Sequence, residues 1–216
     1  MDPKFWLTAW EEGRTAFHSD AVHPALPLHE ARFLGGGPHR VLVPLCGKTL
    51  DLAWLTARGH EVVGVELSEK AIVALHEREG RAPTVAPAGP FRAWQSPGLT
   101  VLEGDVFALT PDLAGAVDRV WDRAALVALD PERRARYVAM LRALVAPGTI
   151  VMLEAFDYDQ ARRAGPPHAV PEAEVRALWA GARVERLDER DGTEEMRARG
   201  WEIERFLVTT WWIELG

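Results

Sequence analysis

The feature that most limits what this chain can fold into is a pair of short apolar runs, Arg40-Val41-Leu42-Val43-Pro44-Leu45 and Glu61-Val62-Val63-Gly64-Val65-Glu66, separated by a helical pattern over residues 49–58. Runs this short and this evenly apolar read as strands buried on both faces, and two of them joined through a helix make the βαβ crossover of a parallel sheet. The alternation continues down the chain. Ser68 is a good N-cap for a helix through Ala71, Ile72 and Leu75, with Glu69 in its first turn. Further strands are expected at residues 99–102, 116–121, 149–156, about 183–187 and 205–214. A helix started by Pro131 runs through Tyr137, Met140, Leu141 and Leu144, and another lies near residues 172–179. The expected fold is therefore α/β, a seven-stranded and mostly parallel sheet with helices on both faces.

Two segments break the rhythm. Residues 80–98 hold Pro83, Pro87, Pro90 and Pro97 with Gly80, Gly89 and Gly98, too dense a set for a regular helix, and read as a shaped loop or a hairpin. Gly165-Pro166-Pro167-His168-Ala169-Val170-Pro171 is the other. Both adjoin strand ends, where an open α/β sheet places its ligand crevice. Residues 181–205 carry six basic and eight acidic residues interspersed, the pattern of a solvated face.

Composition narrows the function. At 216 residues, with 48% hydrophobic and 26% charged, the chain suits a single domain spanning 1–216. Its 32 acidic against 25 basic side chains leave −7, which argues against nucleic acid as a partner because phosphate binding needs clustered Lys and Arg. The longest uncharged run, residues 143–153, has 11 residues, short of the roughly 20 of a membrane span. The N-terminus lacks a basic region followed by an apolar stretch, so a cytoplasmic location is expected. A single cysteine, Cys46, excludes an internal disulfide and a Cys-based zinc cage; with no basic neighbour in sequence it reads as a packing residue. His18, His23 and His29 are spaced 5 and 6 apart rather than i, i+4, so no metal site is expected.

The chemistry gathers at strand ends. The first strand runs into Leu45-Cys46-Gly47-Lys48-Thr49, where Gly47 lets backbone approach a ligand, and Glu66 at the end of the second strand can accept from a ribose diol. Neither the three-glycine dinucleotide fingerprint nor a triphosphate-binding loop is present, which leaves a nucleoside cofactor without phosphates. Asp105 after the third strand can take an adenine amine. Arg123 in Trp121-Asp122-Arg123 can fork onto a carboxylate, or form a surface pair with Asp122.

These residues sit in blocks that resemble the thiopurine S-methyltransferase family. The blocks are Trp10 with Gly13-Arg14-Thr15-Ala16-Phe17-His18, Pro44-Leu45-Cys46-Gly47-Lys48, residues 59–68, residues 121–128, Asp157-Tyr158-Asp159 and Gly165-Pro166-Pro167. The resemblance implies a Rossmann-like methyltransferase fold that uses S-adenosylmethionine and releases S-adenosylhomocysteine. It further implies that Trp10 and Leu45 line the methionine side of the cofactor, that Glu66 holds the ribose hydroxyls and that Asp105 and Val106 flank the adenine. Arg123 would sit at the methyl-transfer centre as catalytic and cofactor-binding residue, while Phe17, His168 and Arg197 would face the acceptor. The helices of residues 1–35, carrying Trp6 and Trp10, would form a lid that excludes water. The reaction implied is a direct displacement in which an acceptor sulfur attacks the sulfonium methyl. Acceptors would be aromatic or heterocyclic thiols; selenium or tellurium compounds are an alternative within the class, and a non-catalytic adenosyl-binding regulator is one outside it. The expected partners are thus a small thiol or chalcogen acceptor, with no nucleic acid and no membrane, for a chain acting as a monomer. An aromatic residue commonly follows Gly-Pro-Pro in the family, whereas His168 stands here.

Overall fold

Strands β1 (Arg40–Pro44) and β2 (Glu61–Glu66) are buried along nearly their whole length and pair in parallel, Arg40 opposite Glu61 through Pro44 opposite Val65. Both faces of such a pair must be covered, which is why neither shows the polar alternation of a half-exposed strand. The computed structural model describes residues 3–15 and 17–216. Met1 and Asp2 of the expected lid, and Ala16 of the N-terminal motif, lie outside the described residues. The backbone divides into two compact units, Met1–Val120 and Trp121–Gly216.

In the N-terminal unit, helix α1 (Pro3–Glu11) and helix α2 (Ala25–Phe33) precede β1, and α3 (Asp51–Thr56) links β1 to β2. Helix α4 (Glu69–Arg78) follows with Ser68 as its N-cap, the hydroxyl accepting from Ala71 N at 3.4 Å; Ala71, Ile72 and Leu75 form its buried face. Residues 80–98 then resolve into an antiparallel hairpin, β3 (Thr84–Ala88) and β4 (Phe91–Ser96), turning at Gly89 with φ +59°. β4 pairs antiparallel with β5 (Leu99–Glu103), which returns to run parallel to β2. Helix α5 (Pro111–Ala114) leads to β6 (Arg119–Asp122), whose Arg119 and Val120 pair in parallel with Val41 and Leu42. The order in this unit is β3-β4-β5-β2-β1-β6. β6 starts three residues later than the pattern at 116–121 suggests. Gly115 (φ +71°) and the Asp118 carboxylate, which takes Arg40 N at 3.0 Å and His39 Nδ1 at 2.7 Å, hold the preceding residues in a turn.

In the C-terminal unit, helix α6 (Pro131–Leu144) opens on its proline, which suits a first helical turn. Strand β7 (Ile150–Tyr158) pairs antiparallel over its full length with β9 (Phe206–Glu214), and β8 (Arg183–Asp191) pairs with β9 through a bulge between Arg186 and Asp188, in the order β7-β9-β8. Helices α7 (Glu172–Leu178) and α8 (Thr193–Ala198) complete it. Trp211 is buried in β9, its Nε1 donating to Thr209 Oγ1 at 2.9 Å, and Trp212 beside it is buried too.

The α/β class with a mostly parallel centre is as the sequence implied, but the strands number nine among the described residues, not seven. The two additional ones are β3 and β4. β3 is exposed over residues 84–87 and contains Pro87, so it carries no apolar period; it exists because β4 offers it an edge. No described helix is long and apolar enough to cross a membrane.

Candidate active site

β1 ends in a tight loop in which Leu45 and Gly47 both take left-handed conformations, φ +47° and +52°. This is costly for leucine and acceptable for glycine, and it turns Gly47 N towards β2. There it donates to Glu66 Oε2 at 2.8 Å, while Ser68 N donates to Oε1 at 2.8 Å. Cys46 lies beneath, its Sγ 2.8 Å from where a Cβ on Gly64 would stand, so Gly64 lets the thiol pack against β2. Burial and the neighbouring Glu66 carboxylate raise the Cys46 thiol well above its ordinary value, which makes it inert packing.

Glu66 is 6% exposed and forms no ion pair among the described residues. Burial raises its carboxyl, and backbone N–H groups of Ser68, Gly47 and Leu67 oppose that rise. A carboxylate has about four acceptor positions, so acceptor capacity remains after these bonds. Two hydroxyl donors on adjacent carbons match a buried carboxylate that has no cation of its own, and the chain therefore fits a ribose diol at this point.

The N-terminal segment lies against the same loop. Trp10 is buried in α1, and its ring centroid is 5.0 Å from that of His18 and 5.9 Å from that of Phe17. A Cβ on Gly47 would run into the His18 ring and stand 3.3 Å from Trp10. Lys70 Nζ of α4 donates to Glu11 O at 3.0 Å, tying the end of α1 beside the cradle. Phe17 is 37% exposed, with Trp6 5.4 Å away edge-on, so the cluster presents an aromatic rim to solvent. On the far side of Glu66, Gly104 N donates to Glu66 O at 2.9 Å. Asp105 follows, exposed, its Oδ1 accepting from Phe107 N at 3.0 Å, and Val106 is buried beside it. The structure thus gathers Trp10, Phe17, Leu45, Glu66, Asp105 and Val106 around the ends of β1, β2 and β5. The sequence reading missed His18, which lands on Gly47. It was considered as a metal ligand and set aside, and it closed the N-terminal block of the resemblance without a role of its own; its adjacency to Phe17 was the available signal.

The remaining expected residues lie in the C-terminal unit. Asp122 is fully buried and accepts from Ala125 N at 3.2 Å, Leu126 N at 3.1 Å and Tyr137 Oη at 2.9 Å. Burial lifts its carboxyl to about 6 against those bonds. Asp122 is therefore a buried anchor for the turn rather than a surface acid. Arg123 is half-buried between that anchor and Ala124, which is held at φ +66°. His168 is buried; its N–H donates to Val127 O at 2.7 Å and its Nε2 lies 3.6 Å from Asp130 Oδ1. Burial, and the Arg134 guanidinium, lower its pKa below the ordinary 6.5. Arg197 donates from Nε to Ile203 O at 2.9 Å and from Nη2 to Glu204 O at 3.0 Å, closing the turn between α8 and β9.

A parallel βαβ centre with a buried carboxylate that suits a ribose diol at its strand ends, and no phosphate loop, fits the class of S-adenosylmethionine-dependent methyltransferases. Solved structures agree on the fold. The Burkholderia thailandensis 1,6-didemethyltoxoflavin-N1-methyltransferase, crystallised with 1,6-didemethyltoxoflavin and S-adenosylhomocysteine, superposes with a TM-score of 0.66 at 20% identity, over 99% of this chain and 87% of that one. A methyltransferase from Methanosarcina mazei gives 0.61 at 17% identity, over 90% and 98%. The profile of the thiopurine S-methyltransferase family matches residues 1–214. The Pseudomonas aeruginosa thiopurine S-methyltransferase is 45% identical over 192 residues, 88% of each chain, and that of Methylococcus capsulatus 39% over 218 residues, 99% of this chain and 97% of the relative. The chain belongs to the thiopurine S-methyltransferase family and is an S-adenosylmethionine-dependent S-methyltransferase.

Proposed function

We propose that the chain methylates the sulfur of aromatic or heterocyclic thiols of the thiopurine type, with residues 1–216 working as one cytoplasmic, monomeric methyltransferase domain and residues 1–35 as its lid. The observation that carries this reading is the buried Glu66 cradle with an aromatic rim beside it. Planar rings stack on or edge against such rims, each aromatic contact contributing about 0.5–1.5 kcal/mol beyond burial. The names of the relatives point to the same acceptor class.

When bound, S-adenosylmethionine supplies an electrophilic methyl group on its sulfonium. The chain's own part is positioning. Glu66, with Leu45 and Trp10 on one side and Asp105 and Val106 on the other, is proposed to fix the cofactor. α1 and Phe17 are proposed to exclude water, which matters because a sulfonium reacts with any nucleophile admitted. An ordinary thiol with pKa near 8.5 is only a few per cent thiolate at neutral pH, whereas a heteroaryl thiol delocalises its charge and ionises more readily. The Arg123 guanidinium, pointed by the Asp122 anchor, is proposed to stabilise that thiolate. His168 and Arg197 are proposed to shape the acceptor side from the 165–171 loop and from α8, His168 as a wall residue rather than a proton carrier.

Methyl transfer measured across a panel of heteroaryl thiols, alkyl thiols, selenols and phenols tests the acceptor. The reading requires heteroaryl thiols to lead in kcat/KM; preference for selenols or phenols would contradict it. Arg123→Ala should lower kcat on a heteroaryl thiol on the order of a hundredfold or more while S-adenosylhomocysteine affinity falls less. Wild-type turnover in that variant would remove Arg123 from the chemistry.

A further inference from the structure

The strand order of the N-terminal unit gives a direction to any nucleoside held there. β5, β2 and β1 lie side by side, with Asp105 after β5, Glu66 at the end of β2 and residues 45–49 after β1. A ribose whose diol is taken by Glu66 therefore has its base towards β5 and its 5′ substituent over the β1 loop. In S-adenosylmethionine that substituent ends in an α-amino acid, whose carboxylate needs a cationic or N–H donor.

Lys48 stands on that loop, next to Gly47. It is half-buried, its carbonyl oxygen is fixed by Arg78 Nη2 at 2.5 Å, and its Nζ lies 5.8 Å from the centroid of the buried Trp10 ring. The ring holds the ammonium in place at its face. Among the described residues Lys48 forms no ion pair, and the Glu66 carboxylate accepts from the N–H groups of Gly47 and Ser68 instead. Arg92, Arg81 and Arg134 in contrast each hold a carboxylate within 2.8 Å. In a chain of net charge −7, a half-buried ammonium beside the cradle with no carboxylate on it among the described residues is placed to meet an anionic ligand. The geometry points to Lys48 as the counter-ion of the cofactor's amino-acid carboxylate, a positioning contact that sets the methionyl arm over Trp10. This rests on the S-adenosylmethionine reading above.

Calorimetric titration of wild type, Lys48→Met and Lys48→Arg with S-adenosylhomocysteine and with 5′-methylthioadenosine, which lacks the amino-acid arm, tests it. Lys48→Met should weaken S-adenosylhomocysteine binding on the order of ten- to a hundredfold. The same variant should bind 5′-methylthioadenosine within about twofold of wild type, which also reports an intact cradle. Lys48→Arg should retain most of the affinity for both. Equal losses for the two ligands, or no loss for S-adenosylhomocysteine, would overturn the assignment. Failure of the wild type to bind S-adenosylhomocysteine would instead overturn the cofactor reading, and this inference with it.

Discussion

Glu66 and Gly47 show how little separates a structural residue from a functional one at this site. Glu66 is buried without a cation, an arrangement that backbone N–H groups make tolerable and that a ribose diol would complete. Glu66→Ala should weaken S-adenosylhomocysteine binding by about 1.5–3 kcal/mol. Fluorescence or calorimetric titration checks this, and unchanged affinity would refute the assignment. Gly47 was legible as a close-approach glycine, but the reason for it is larger than the strand end suggested. Its φ of +52° disfavours a side chain by about 1–2 kcal/mol, and its Cβ position is occupied by the His18 ring. Gly47→Ala should therefore lower cofactor affinity through two effects, strain and displacement of His18. In a His18→Ala background the second is absent, so the affinity lost to Gly47→Ala should be smaller there. Strict additivity of the two substitutions would show that His18 does not press on the loop.

Elements divide into those whose local sequence suffices and those that need a neighbour. α4 belongs to the first kind, since Ser68, Glu69 and the apolar face at Ala71, Ile72 and Leu75 all point the same way and the hydroxyl does cap Ala71. The hairpin belongs to the second. Only β4 has buried alternate residues, Phe91 and Ala93, and they matter because β5 runs alongside. α8 was hidden within a run of interspersed charges, because only Thr193 and Met196 of its six residues are buried. His168 was assigned from its motif, yet its burial follows from tertiary contacts. Tyr158 Oη donates to Pro167 O at 2.6 Å and Ala169 N to Gln160 Oε1 at 2.7 Å, pinning the loop on either side. Because burial and Arg134 lower the His168 pKa, the folded state favours the neutral ring. The stability it supports is present above the unfolded value of 6.5 and is lost as pH falls through the folded value. His168→Phe removes that term. Urea unfolding at about pH 7.5 and about pH 5 should show the variant gaining stability relative to wild type on acidification. A pH-independent difference would mean that the ring is not buried neutral.

At the scale of the whole molecule, the fold class and the cofactor end of the site were readable from strand ends, since a parallel βαβ unit fixes where its loops emerge. Glu66 and Asp105 lie within a few residues of such ends and were read from spacing, whereas Leu45 and Val106, beside the same ends, were assigned through the family resemblance. Trp10 and Phe17 come from outside that rule, and only the family resemblance placed them. The roles of Arg123, His168 and Arg197 are the least legible, because their surroundings are built from turns: Asp122 anchors one, Val127 O fixes another and Arg197 itself closes a third. The central claim is that this chain moves a methyl group from S-adenosylmethionine to sulfur. The most direct measurement is incubation with S-adenosylmethionine carrying an isotopically labelled methyl group and a heteroaryl thiol, with the label located in the product by NMR. The account predicts a labelled S-methyl thioether, formed in stoichiometry with S-adenosylhomocysteine and strongly reduced with Glu66→Ala. Label found on nitrogen or oxygen, or S-adenosylmethionine bound with the thiol left unmethylated, would contradict it.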